Sequence, residues 1–134
     1  MTNAARAGLL AMSEASILTI HERSAIGRHR GTGIRSLARL RDLVADLHTA
    51  ARERWEAADV IALIFDDIER DPQPFVDCNH RTALLLGRVV AAQFGLNLRF
   101  SGSEGKRLRR RWETMTRKDL KAWISEHLVS LERR

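Results

Sequence analysis

A chain of 134 residues has the length of one domain, 1–134, and can hide roughly 70% of its unfolded surface. Its composition, 44% hydrophobic and 30% charged with two prolines, excludes a disordered tail, and no apolar run approaches the roughly 20 residues that cross a bilayer. Lys and Arg number 23 against 17 Asp and Glu, and the resulting +6 could draw an acidic protein, nucleotide phosphates or nucleic acid without choosing among them.

Ala7–Met12 is apolar but short, and Ser13 and Glu14 follow it without an export cleavage pattern, so a cytoplasmic location is expected. Ser13 can cap an amphipathic helix over Ser13–Arg23 that carries Ile17 and Ile20 on one side and fails at Gly27. Gly27, Gly31 and Gly33, with basic residues between them, make Ile26–Ser36 the longest expected loop. Ser36 can cap a second helix whose Leu37, Leu40, Leu43, Val44 and Leu47 recur at helical steps. A third helix over Ala57–Glu69 is stopped by Pro72 and Pro74.

Thr82–Phe94 is apolar apart from Arg88 and Gln93, which predicts a helix buried all round, with Gly95 as its left-handed cap. Asn97–Phe100 reads as a brief extended piece, and Leu108, Trp112 and Met115 share a face of the basic segment Glu104–Met115. Thr116 and Asp119 resemble a capping box that opens a last helix with Leu120, Trp123, Ile124, Leu128 and Leu131 as its stripe. Strand signals are too few for a sheet. The expectation is an all-α orthogonal bundle around a buried central helix at about Asn79–Phe94.

Cys78 is the only cysteine, which excludes an internal disulfide and a four-cysteine zinc site. Basic residues cluster at Arg23, Arg28, Arg30 and Arg35, and again at Lys106, Arg107, Arg109, Arg110 and Arg111. Without zinc-finger spacing, a basic zipper or tyrosines for base stacking, these clusters read as solvated faces or partner contacts. Specific nucleic-acid binding is not expected. Trp112 and Trp123 are core residues or the lining of a partner groove.

Chemistry concentrates in Gln73-Pro74-Phe75-Val76-Asp77-Cys78-Asn79-His80-Arg81, just ahead of the apolar helix. A helix start offers unpaired N–H groups and partial positive charge to an anion such as phosphate. Arg81 adds a fork that grips two phosphate oxygens, Asp77 is a hard oxygen ligand for Mg²⁺, and Phe75 can anchor the loop in the core. The plainer reading is that Asp77 or Asn79 caps the helix, Arg81 pairs with an acid and Phe75 is only core.

This stretch resembles the Fic motif, in which a histidine is followed at fixed spacing by phenylalanine, an acid, asparagine and arginine. Phe75, Asp77, Asn79 and Arg81 fall in register, and Thr82-Ala83-Leu84 is typical of the Doc branch. Leu18-Thr19-Ile20-His21, the basic glycine loop and Leu37–Val44 resemble the N-terminal part of Doc toxins. The resemblance implies a compact Fic/Doc-like helical bundle that uses ATP and Mg²⁺ to move phosphate or AMP to a protein hydroxyl.

By that resemblance Asp77 holds the metal; Asn79 and Arg81, with Phe75, Cys78 and His80 around them, form the cofactor-binding loop. The acceptor hydroxyl approaches from the side of Ile26–Ser36. The implied partners are an antitoxin protein and a protein substrate such as a translation factor. His80 stands where Doc has lysine and AMP-transferring members often have glycine, which leans towards phosphate transfer, and Cys78 replaces a glycine or alanine. Gln73 takes the position of the catalytic histidine, and an amide cannot accept the proton of an attacking hydroxyl. The glutamine is either a natural variant or a substitution introduced to silence a toxic protein. His21, His29 and His80 are the candidate replacement bases. Two further readings stay open: a non-catalytic nucleotide- or protein-binding module, and a helical nucleic-acid-binding protein using the cluster around Arg109.

Overall fold

The computed structural model describes residues 1–26 and 33–131, and the chain is mostly helical. The expected Ile26–Ser36 loop lies largely outside the described residues, as do Arg28, His29 and Arg30.

The first helix, α1 (Asn3–Leu10), was not expected. Thr2 accepts the Ala5 N–H at 3.1 Å and so caps it, and Ala5 and Leu9 are buried. Helix α2 (Glu14–Ser24) opens on Ser13, which exchanges hydrogen bonds with Ser16 in a capping box, and it stops at Ser24. Ser36 caps α3 (Leu37–Arg52) as expected, and Leu40, Leu43 and Leu47 are buried along its inner face. A left-handed Arg54 then turns the chain into α4 (Ala57–Glu69).

Helix α4 is the most completely buried element: every residue from Val60 to Asp66 is buried. It packs against α3 on one side, α5 (Asn79–Gln93) on another and α7 (Arg117–His127) on a third. The centre of the bundle is therefore the α4–α5 pair. Contrary to expectation α5 is not buried all round, since Arg81 and Arg88 are exposed on its outer face. Gly87 lets α5 pack tightly on its neighbours, because a Cβ there would meet Leu98 and Ile61 at 3.3 and 3.4 Å.

Gly95 provides the expected left-handed turn, at φ 74°. The chain then forms β1 (Leu96–Leu98), which pairs antiparallel with β2 (Leu128–Ser130) in the register Leu96–Ser130, Asn97–Val129, Leu98–Leu128. This ribbon corrects two expectations. A sheet does form, and Leu128 and Leu131 belong to it and its end rather than to the last helix, which finishes at His127. Helix α6 (Gly102–Arg111) also starts earlier than the basic segment indicated, because Ser101 and Glu104 make a capping box, and a 3-10 turn (Trp112–Thr114) follows it. The Thr116–Asp119 box opens α7 as expected.

Candidate functional site

The loop from Arg70 to Cys78 is shaped by hydrogen bonds rather than by regular structure. Pro74 offers its carbonyl to the N–H groups of Arg35 (2.8 Å) and Ser36 (3.1 Å), and Val76 donates to Gly33 at 2.9 Å. Ile34 bridges antiparallel to Phe75, so residues 33–36 form a rung beside the loop. Gly33 permits this approach: a Cβ there would lie 3.0 Å from the Val76 side chain.

Phe75 is fully buried and stacks on His21 with ring centroids 3.8 Å apart and an angle of 4° between planes. It anchors the loop, as expected, and is not among the residues that line the cleft. Asn79 closes the loop on itself. Its Oδ1 accepts the Phe75 N–H at 3.1 Å, while Nδ2 donates to the Phe75 carbonyl at 2.9 Å and to Gln73 Oε1 at 3.2 Å. Both its donors are thereby used, so its side chain clamps the loop while the residue still lines the cleft.

His80 is likewise engaged, with Nδ1 2.9 Å from Glu69 Oε2 and Nε2 3.2 Å from the Gly105 carbonyl. Both partners are acceptors, so the ring ties α4, α5 and α6 together instead of reaching for a ligand. His21 is fully buried, with Nδ1 2.8 Å from Thr82 Oγ1 and Nε2 unpartnered among the described residues. Burial holds its pKa below the ordinary value against the opposing pull of Glu22 and Asp77. Neither histidine is placed as an exposed base in the cleft. His29 lies outside the described residues.

The turn into α5 is made by Cys78 in the left-handed region, φ 60° and ψ 27°, which favours a residue with little bulk at Cβ. Asp77 Oδ1 accepts the Cys78 N–H at 2.7 Å, and its other oxygen is left for further partners. No side chain caps α5, and its first turn holds no acid. The first N–H groups therefore remain available, at the end of the helix that carries positive potential, with Arg81 beside them. The reading of Asp77 or Asn79 as caps is excluded.

These groups open on one cleft of about 760 Å³. It is lined by the loop residues Gln73, Val76, Asp77 and Cys78, by Asn79, His80 and Arg81 of α5 and by Glu69, Arg70 and Asp71 at the end of α4, while α6 and the 3-10 turn contribute a wall of Arg109, Trp112 and Glu113. Glu69 is occupied by His80, and Arg70 lies 3.8 Å from Asp66. Arg81 and Arg109 form no ion pair among the described residues. Gln73 is half-buried and points its amide into protein, donating weakly to the Glu69 carbonyl at 3.5 Å and accepting from Asn79.

Among the described residues no cluster of three His, Cys, Asp or Glu is placed to hold a metal ion. A divalent cation at Asp77 would draw its other ligands from a phosphate chain and water, a donor set that suits Mg²⁺. The volume, the uncapped helix start and Arg81 fit a nucleotide carrying such a cation.

The sequence singled out the loop residues that line this cleft and not those that α6 and the 3-10 turn bring to it. Arg109 and Trp112 were visible only as members of a basic run and an apolar stripe, and nothing in their spacing placed them in one cleft with Arg81. No helix of the described residues is long and apolar enough to cross a membrane. Compared with known proteins, the chain matches no family model, no curated protein and no solved structure.

Proposed function

We propose that the cleft is the nucleotide site of a Fic/Doc-type transferase scaffold, a Doc-like toxin held in check by an antitoxin, in which Gln73 curtails catalysis. The observation that carries this reading is the uncapped start of α5, flanked by Arg81 and Asp77 and opening on a cleft of about 760 Å³. A bare helix start next to an arginine is a poor arrangement without an anion and a good one with it.

Transfer requires a protein hydroxyl to attack phosphorus as the bond to the leaving phosphate breaks, and the hydroxyl proton must go to a base. By the resemblance Gln73 takes the position of that base, and its carbonyl oxygen is turned to Asn79. An amide cannot take that proton. That observation also favours a second reading, a module that binds nucleotide or a protein partner without turnover.

Gln73→His separates the two. A positioned base contributes about 10²- to 10⁴-fold, so the variant is expected to label a host protein from ATP, from the γ-phosphate in preference to the α-phosphate, and to slow bacterial growth. A histidine variant that binds Mg·ATP, labels nothing and leaves growth unchanged establishes the binding module instead.

A further inference from the structure

The wall that α6 and the 3-10 turn bring to the cleft has a chemistry of its own. We propose that Trp112 is the stacking platform for the base of the bound nucleotide, an inference that rests on the nucleotide reading of the cleft.

Almost every described residue that lines the cleft is polar or charged; Trp112 brings the largest apolar ring to it, and the other ring there, His80, is already bonded through both nitrogens. A purely phosphate ligand needs the helix start, Arg81 and Asp77, all on the loop side. The wall from α6 and the 3-10 turn offers such a ligand one cation, Arg109, and then a broad apolar ring that a phosphate cannot use. A planar base can use it, because base–aromatic stacking needs only a π-face. Trp112 is half-buried, so one part of the ring packs on the core while another lines the cleft, and its Nε1 has no partner among the described residues.

The wall is also held in place. His80, in the first turn of α5, bonds the Gly105 carbonyl of α6 at 3.2 Å, and α6 is fixed at its start by the Ser101–Glu104 box. The distance between the helix start and Trp112 is thus set before any ligand arrives, which reduces the ordering cost of binding. Glu113, next along the 3-10 turn, lines the cleft as well and offers acceptors to N–H groups on a base edge.

The test compares Mg·ATP with inorganic tripolyphosphate plus Mg²⁺ by calorimetry, on the native chain and on Trp112→Leu and Trp112→Phe. Tryptophan fluorescence is followed in parallel. Trp112→Leu keeps the core contact without the ring and is expected to weaken ATP about 5- to 150-fold while leaving tripolyphosphate within about twofold. Trp112→Phe is expected to recover much of the ATP affinity and to lose the nucleotide-dependent fluorescence change, since Trp55 and Trp123 do not line the cleft. Equal ATP affinity in the native chain and Trp112→Leu overturns the stacking role while tripolyphosphate binding leaves the phosphate site standing. Equal weakening of both ligands also overturns it, because that marks a structural defect. If the native chain binds neither ligand, the nucleotide reading itself falls.

Discussion

Arg81 and Asn79 stand two residues apart and do opposite jobs. Asn79 is buried and saturated within the loop, so Asn79→Ala strands the buried Phe75 N–H and is expected to cost about 1–3 kcal/mol in urea unfolding. Arg81 is exposed beside the bare helix start, so Arg81→Ala is expected to leave stability unchanged and weaken Mg·ATP about 10- to 150-fold by calorimetry, the worth of a charged hydrogen bond. Loss of stability without loss of affinity would move Arg81 out of the site. That Phe75 anchors the loop, and that Asp77 and Arg81 lie on one cleft, was legible because each carries a distinct chemistry within one short stretch. The clamp role of Asn79 was not, because an asparagine ahead of a helix serves equally as cap, clamp or ligand until its partners are known.

At the scale of elements, legibility followed the range of the contacts. Helices α2, α3, α4 and α7 each carry an apolar stripe, and all but α4 also carry a capping side chain, so local sequence announces them. The β1–β2 ribbon joins residues some thirty positions apart through strands of three residues each, too short for an alternating pattern to show. One side-chain pair braces this region: His127 Nε2 lies 2.7 Å from Glu104 Oε2, with Nδ1 2.6 Å from the Trp123 carbonyl and the ring stacked on Trp123. Burial lowers the His127 pKa, but the Trp123 carbonyl and the Glu104 carboxylate outweigh it and hold it above the ordinary value. The Ser101 N–H, followed by the His127 ring and the Ser101 hydroxyl, pulls Glu104 down to about 2. A raised histidine pKa contributes stability that is fully present below the unfolded value and is lost as pH rises through the folded one. His127→Gln is therefore expected to lower Tm more at pH 6 than at pH 9, and a pH-independent difference would reduce the pair to packing.

For the whole molecule, two further acid–base groups, the buried His21 and the partly buried Asp67, shape the pH profile. The depressed His21 pKa removes stability as pH falls below the ordinary 6.5, because the unfolded chain takes up the proton first. Asp67 of α4 behaves inversely. Burial and the nearby Asp46 of α3 push it up to about 7, and its Oδ2 is buried without a hydrogen-bond partner among the described residues. Its cost sets in as pH rises past the ordinary 3.8 and is complete above about 7. Asp67→Asn imitates the protonated acid, so Tm is expected to exceed that of the native chain at pH 8, with the gain shrinking towards pH 4. A uniform gain would mean that the substitution acts through packing instead. The bundle owes its coherence to α4, whose burial joins α3, α5 and α7, and the sequence showed its apolar content without showing that its neighbours would cover every side.

Helix α5 also gives the molecule a built-in ruler. Its first residue opens on the cleft, its 15 residues run about 22 Å along the axis, and just past its end Gly95 hands the chain to a ribbon whose exposed Ser130 pairs with Leu96. A fluorescent donor attached at Ser130 would face a nucleotide-borne acceptor across a rigid rod, so occupancy of the cleft could be followed by energy transfer from a position that touches none of the residues lining it.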